Sequence, residues 1–440
     1  MPTTSQSKYV AFYFCALVGM LFSCDTASTI EDPDKNYFIK YYGGDGDQEG
    51  VDMVVGADGS VYLLGNSSNA SSTTGKQLYL VKADAEGKLI WERTFGGKFD
   101  ENAKDLELTT DGRLVILANS QKGAAENDIL LMTVTLDGIK IDSTLVGLQT
   151  ILGTPIEADE DAISISQTSD GFIVSGSTTS VTSKGIAPED FKDAFHLRLT
   201  NNLVIFNESD WSRTYGTIGS DVATGVYQVN SGLFYVFGFT NIDPASTSIA
   251  DFNFWVYQLG QTGVPSGSQM YPGTIVTNEK LTSVIINPPQ PGAGFLLVGT
   301  STDASGSYDI YVNKLRKTLT FNPSLDYQIN KPLSASLGKL DIANAKVSIY
   351  ASSSSGYLIL ANEKSGTSDN FYLTKIDNDG QIAWTNPQNL IFGGQKDDYI
   401  GAVAELPDGR IIVMGTMSIG DEGQLKMALI KLNKEGKFLD

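Results

Sequence analysis

The chain is poor in the residues that carry most nucleophilic and metal chemistry. Its 440 residues include one histidine, His196, and two cysteines, Cys15 and Cys24. Both cysteines fall in the first 24 residues, so a chain processed at Cys24 has a body without free thiol or disulfide. That excludes a cysteine nucleophile, thiolate-held zinc and iron–sulfur centres. With one histidine a His-based zinc site is excluded, and a Ser-His-Asp arrangement would rest wholly on His196. Basic residues are also scarce: 31 Lys and Arg stand against 51 Asp and Glu, a net charge of -20 that repels nucleic acid and anionic lipid headgroups. Helical periodicity is missing. The segment from Gly43 to Gly50 (GGDGDQEG) is glycine-rich but acidic, unlike a phosphate cradle, which needs Lys and a following helix.

What the chain does have is repetition. A turn signal running into a short apolar strand that ends in Gly or Ala occurs seven times, closing at Gly65, Ala118, Gly176, Gly238, Gly299, Ala361 and Gly415, in steps of 53 to 62 residues. That period belongs to blades or solenoid repeats. A second apolar run follows each mark (QLYLVKAD, NDILLMTVT, DAFHLRLT and so on), and further strands come before the Asp-Gly turn and at WERTFGG, WSRTYG and NLIFGG. All are rich in Val, Ile, Leu, Tyr and Phe, too short for helices and bounded by turn residues. Four strands per unit make a blade. The terminal Gly or Ala is expected where blades crowd near an axis.

The frame is offset at the ends. Tyr37–Gly44 (YFIKYYGG) matches a fourth strand yet comes first, while the chain ends just after a third strand. The expectation is an all-β, seven-bladed β-propeller of four-stranded blades over residues 37–440, with the N-terminal strand completing the C-terminal blade. Closure of this kind removes exposed sheet edges.

The repeat, aromatic-Gly-Gly, Asp, Asp-Gly-apolar-Gly, Asp-apolar-Lys-apolar, Gly, Trp, resembles that of bacterial secreted and lipoprotein β-propellers. The match is best in Trp91–Gly97, Asp111–Gly112, Asp369–Asp377 and Gly393–Gly415, and weaker over residues 266–340. The resemblance implies fold and a surface location, and no common activity. Residues 1–23 read as an export signal: Lys8 precedes an apolar stretch too short for a stable span, ending in Leu21-Phe22-Ser23-Cys24. That ending resembles a lipobox, which implies lipidation at Cys24, although Phe22 stands where a smaller residue is usual. Cleavage without lipid and an uncleaved anchor are the alternatives. Residues 24–36 are polar and acidic and read as a flexible tether, with a reach of roughly 40 Å fully extended. The location expected is the cell envelope, at the outer membrane or cell surface.

Between the fourth strand of one unit and the first of the next, each unit carries a carboxylate: Asp47, Asp100, Asp161, Asp221, Glu279, Asp341 and Asp397. Several have company in Asp45, Glu49, Glu101, Asp159, Glu160 and Asp398. In a propeller these crossings gather on one face around the channel mouth. The acids there either concentrate cations, calcium included, or serve as turn devices that accept backbone N–H groups. Asp45–Gly50 has the oxygen density of a calcium loop but lacks the distal bidentate Glu of an EF-hand. The loops between second and third strands, 66–76, 177–192 and 240–250, lie on the same face, and nearby Phe99, Phe191 and Tyr399 offer rings to stack on sugars. His196 sits within a strand run, where a structural role is expected.

Other signatures are missing. There is no Ser-x-Asp-x-Gly-x-Thr-Trp box of the sialidase kind, and Trp91, Trp211, Trp255 and Trp384 do not repeat as in quinoprotein dehydrogenases. The leading reading is a non-enzymatic propeller that binds a glycan or a protein through its loop-bearing face. The alternatives are a carboxylate-dependent carbohydrate-active enzyme, which needs two suitably spaced acids, and an assembly scaffold without a small-molecule site.

Overall fold

The computed structural model describes residues 37–68, 75–121, 127–148, 159–179, 192–206, 211, 213–242, 249–267, 269–272, 278–286, 294–302, 306–316, 327–333, 340, 342–420 and 423–438. The segments expected as signal and tether (1–36, with Cys24), Asp341, Phe191 and most of the three long loops lie outside them.

Among the described residues, twenty-seven strands form seven antiparallel sheets. β1 (Phe38–Tyr42) precedes a first blade of β2 (Asp47–Val55), β3 (Val61–Ser68), β4 (Gln77–Ala83) and β5 (Leu89–Phe95). The second blade is β6 (Asp100–Leu108), β7 (Arg113–Gln121), β8 (Asn127–Thr135) and β9 (Lys140–Val146). The third is β10 (Glu160–Gln167), β11 (Gly171–Thr178), β12 (Asp193–Thr200) and β13 (Arg213–Tyr215). The fourth has β14 (Asp221–Asn230), β15 (Leu233–Ile242) and β16 (Ile249–Gly260), and its outer edge is marked by single bridges from Val256 to Met270 and from Leu259 to Pro265. The fifth is β17 (Asn278–Ile286), β18 (Gly294–Thr302), β19 (Tyr308–Arg316) and β20 (Tyr327–Pro332). The sixth is β21 (Ile342–Ala351), β22 (Tyr357–Ser365), β23 (Ser368–Ile376) and β24 (Asn389–Phe392). The seventh has β25 (Tyr399–Glu405), β26 (Ile411–Ile419) and β27 (Gln424–Leu432), and β1 pairs beside β27 as its outermost strand.

Closure is visible in two places. The register of β1 on β27 runs from Phe38 opposite Lys431 to Tyr42 opposite Met427. The innermost strands β2, β6, β10, β14, β17, β21 and β25 also neighbour one another in a ring that returns from β25 to β2. Apolar side chains of the second and third strands fill the spaces between blades. Val115, Leu117, Ile129 and Leu131 of the second blade, for example, pack with Phe172, Val174, Phe195 and Leu197 of the third.

The small residue closing each second strand has a different reason from crowding at the axis. A side chain on Gly65 would meet the Glu49 carbonyl oxygen at 1.8 Å, and one on Gly176, Gly238 or Gly299 would meet the Asp161, Val222 or Lys280 carbonyl oxygen at 2.0–2.1 Å. The obstacle is the neighbouring inner strand, which bulges at that level.

Candidate functional site at the channel mouth

Each inner strand runs from a crossing on one face toward the Asp-Gly turns on the other. Its first residues therefore lie at the crossing face, and the side chains there divide into three rows by position along the strand.

The outermost row caps the preceding blade. Asp47 Oδ1 accepts the Leu425 N–H at 3.0 Å, Asp100 Oδ1 the Lys76 N–H at 2.6 Å, Asp159 Oδ1 the Asn127 N–H at 3.2 Å, and Asp397 Oδ1 the Asp369 N–H at 3.0 Å. At two seams the acceptor is neutral: Ser220 Oγ takes the Lys192 N–H at 3.4 Å and Asn278 Oδ1 the Phe252 N–H at 3.1 Å. In each case the donor lies among the first residues of a third strand or just before it, and the acceptor begins or just precedes the next blade. The arrangement satisfies a backbone donor at a frayed strand start, where Asp, Asn and Ser serve equally.

The next row is buried: Gln48, Glu101, Glu160, Asp221, Glu279 and Asp398 all lie below 8% exposure. These side chains fold back on the crossing itself. Asp221 Oδ2 accepts the Thr217 N–H at 2.5 Å and the Thr217 hydroxyl at 2.9 Å, Asp398 Oδ2 the Gly394 N–H at 2.5 Å, and Glu160 Oε1 the Leu148 N–H at 3.1 Å. Glycine is required beside them. A Cβ on Gly393 would stand 2.3 Å from both Asn370 Oδ1 and Asp398 Oδ2, and one on Gly216 would stand 1.7 Å from Asp193 Oδ1. Burial raises the Glu101 and Asp398 carboxyls above the ordinary range. Glu160 is pushed to about 8, by burial first and then by the charges of Asp128 and Asp159, against the Leu148 N–H that favours its charged form.

At the closing seam the same place is filled by Gln48 and the buried Lys426. The Lys426 ammonium donates to the Gly44 carbonyl at 2.5 Å, the Gly46 carbonyl at 2.8 Å and Gln48 Oε1 at 2.6 Å. The oxygen-rich segment Asp45–Gly50 thus already surrounds an ammonium group. Among the described residues no three His, Cys, Asp or Glu side chains gather closely enough to hold a metal ion.

The seven carboxylates aligned by sequence are therefore not equivalent. Asp47, Asp100 and Asp397 are caps, Asp221 and Glu279 belong to the buried row, and Asp161 is one residue further in, where Lys104 Nζ reaches it at 2.7 Å and Asn119 Nδ2 at 3.1 Å. Glu49, at the same level as Asp161, pairs with Lys76 at 3.0 Å. Asp341 is outside the described residues.

Beyond the rows comes a feature that sequence reasoning missed. Six inner strands carry one unpaired residue at the same place, as a β-bulge: Val51, Lys104, Ile163, Thr224, Thr282 and Gly401. A bulge re-aims the extra residue out of the ladder. In the sixth blade the irregularity is longer, from Ile342 to Val347, and contributes Lys346. All seven of these residues line one cavity of about 450 Å³, joined by Asp52, Asp105, Asp161 and Ser283 among others. A further 210 Å³ continues past Ile163, Thr224 and Thr282 toward Tyr227. Every blade contributes to the wall.

Side chains bridge the inner strands around this cavity. Asp52 Oδ2 accepts the Leu106 N–H at 2.9 Å, Asp105 Oδ2 the Ile165 N–H at 2.8 Å, Thr224 Oγ1 donates to the Leu281 carbonyl at 3.2 Å and Thr282 Oγ1 to the Val347 carbonyl at 3.1 Å. Lys346 Nζ crosses to the Val51 carbonyl at 3.0 Å. Lys346 is open to the channel, yet the enclosing wall disfavours its charge and lowers its pKa, opposed by Asp52 and Asp105. Asp105 is held well above the usual carboxylate range, by burial first and then by the charge of Asp52 and a hydrogen bond with it. Glu107, two residues along and on the same face of β6, rises to about 7 for the same two reasons.

His196 lies apart from all of this. It is buried between blades, hydrogen-bonded through Nε2 to the Tyr257 hydroxyl and packed on Tyr215, and burial lowers its pKa to about 3. The ring stays neutral and structural. Of the three aromatics proposed for stacking, Phe99 and Tyr399 are exposed at 38% and 39%.

No family model matches this chain, and no curated protein matches it at a significant level. Solved structures do. The β-propeller domain of the Trilobed protease from Pyrococcus furiosus is 9% identical, with 90% of this chain and 98% of that one covered at a TM-score of 0.46. An ulvan lyase, from a family of polysaccharide lyases, is 10% identical, covering 91% and 97% at 0.50. The WD40 domain of Pan2 from Neurospora crassa is 9% identical, covering 94% of both at 0.44. At such identities the likeness shows the fold alone.

Proposed function

We propose that the chain is a lipid-anchored propeller of the cell envelope, of the bacterial lipoprotein kind, that binds a glycan or protein partner at its crossing face without chemical conversion. The observation that carries this reading is the division of labour just described. The rim acids Asp47, Asp100, Asp159 and Asp397 are occupied as acceptors of backbone N–H groups. Recognition is left to the polar cavity lined by the inner strands and to the loops that join second and third strands, a division usual for rigid scaffolds. The test is a binding screen of the purified chain against envelope polysaccharides and envelope proteins, repeated with loop replacements at 177–192 and 240–250. Retention of a partner that the replacements abolish supports the reading, and an intact chain that retains nothing refutes it.

A second reading is favoured by Glu107 and Asp105. Carboxyls raised toward neutrality near a cavity have the property of general acids. A carbohydrate-active enzyme would release new reducing ends or unsaturated sugars from a polysaccharide panel and lose that activity in Glu107→Gln.

A further inference from the structure

Resting on the proposed binding reading, we infer that the bulge-lined cavity is a saccharide subsite that takes the uncharged end of a glycan, one sugar deep in the channel, between the Lys346 amine and the Asp52–Asp105 pair. Three features of the wall point to that class of ligand.

The first is charge balance. Lys104 is matched by Asp161 at 2.7 Å, and Lys346 faces Asp52 and Asp105, of which Asp105 is pushed toward its neutral form by burial and by the Asp52 charge. With the charges cancelled, neither a strong anion nor a strong cation gains net attraction, although the chain as a whole carries -20. A neutral ligand pays no such electrostatic penalty.

The second is the mixture of donors and acceptors at one level of the channel. Lys346 has three donors and uses one on the Val51 carbonyl. Asp105 gives Oδ2 to the Ile165 N–H and Oδ1 to the Leu106 N–H, whereas Asp52 gives Oδ2 to the Leu106 N–H and keeps acceptor capacity on Oδ1. A pair of adjacent sugar hydroxyls, each donor and acceptor at once, bridges an ammonium and a carboxylate.

The third is shape. The hydrogen-bonding arc on the sixth, first and second blades, with Gly401 of the seventh between them, faces an arc of Ile163, Thr224 and Thr282 on the third to fifth blades, whose two threonine hydroxyls are turned to backbone carbonyls, so that these three present mainly methyl and backbone surface. A sugar ring has the same division between a polar edge and an apolar face. A volume of about 450 Å³ sits in the range of small-ligand pockets and admits about one or two sugar rings.

The experiment is calorimetry and saturation-transfer NMR on the full chain with neutral oligosaccharides drawn from a glycan array. Lys346→Met keeps the stem and removes the amine, and Val51→Phe fills the cavity from its wall. The expected result is at least a tenfold loss of affinity in each, with melting temperature within a few degrees of the parent. Glycan binding that survives both variants overturns the channel subsite while leaving a glycan reading of the loops intact. Selection of uniformly anionic sugars, or no glycan binding beside clear protein capture, overturns the saccharide class. A variant that fails to fold is replaced by Ile163→Phe, which narrows the same cavity from the opposite arc.

Discussion

Glu160 is the most sensitive reporter of the buried carboxylate row. At 1% exposure it accepts one backbone N–H from Leu148 and lies near Asp128 and Asp159, which places its pKa at about 8 instead of 4.5. The folded chain therefore holds a proton that the unfolded chain gives up. The resulting stability is fully present below the unfolded value and drains away as pH rises from about 4.5 through about 8. At neutral pH the loss is on the order of 3 kcal/mol, since each pKa unit is worth about 1.4 kcal/mol. Glu160→Gln keeps the acceptor for Leu148 and cannot ionise. Thermal unfolding followed by circular dichroism from pH 5 to 9 should show the parent losing several degrees more than the variant, with the two curves closest at pH 5. Glu107, raised to about 7, leaves the variant a residual slope of the same sign. Parallel curves, or a variant less stable at pH 8, would refute the assignment of a protonated buried acid.

Other perturbations report on other parts of the molecule. Lys426→Met strips three acceptors at the closing seam of their donor, and a cost of about 1–3 kcal/mol is expected. Hydrogen exchange should show it first in residues 37–48, and uniform loosening of all blades would contradict a local lock. Asp100→Ala removes the cap on the Lys76 N–H, with an expected cost of about 1 kcal/mol by denaturant titration. A loss of partner binding without loss of stability would instead give Asp100 a recognition role. Gly216→Ala places a methyl against Asp193 Oδ1 and should destabilise by about 1–3 kcal/mol, whereas Gly97→Ala, with open space around it, should not. Cys24→Ala should abolish palmitate labelling and release the chain from membranes, and continued labelling would end the lipoprotein proposal.

The blades were legible because the pattern that spells them is local. A turn glycine with positive φ, as at Gly59, Gly112 and Gly409, followed by a β-branched run and a small residue under a carbonyl, has to recur wherever the same hairpin recurs. The offset of Tyr37–Gly44 was legible for the same reason. The rim was not, because the crossings differ in length and the eye aligns carboxylates by their chemistry. Asp161 was matched with Asp47 and Asp221, whereas the register puts Asp159 beside Asp47, Glu160 beside Asp221, and Asp161 one step deeper. The bulge ring had no signature at all. Val51, Lys104, Ile163, Thr224, Thr282 and Gly401 share no chemistry, since what selects them is the missing hydrogen-bond partner and not the side chain. Lys426 with Gln48 in place of an acid could have been noticed, since among the described buried-row positions this one departs from a carboxylate, and that difference marks where the chain closes on itself.

The proposal that partners dock on the crossing face is tested most directly by steric blocking. In a chain carrying Cys15→Ala and Cys24→Ala, a single cysteine replaces Phe99 on the crossing face or Asp379 in a turn at the opposite end, both exposed positions. Each is coupled to a bulky maleimide polymer before partner binding is measured. The account predicts that the polymer at 99 abolishes binding and the polymer at 379 leaves it unchanged; the reverse outcome would place the binding surface on the wrong side of the wheel.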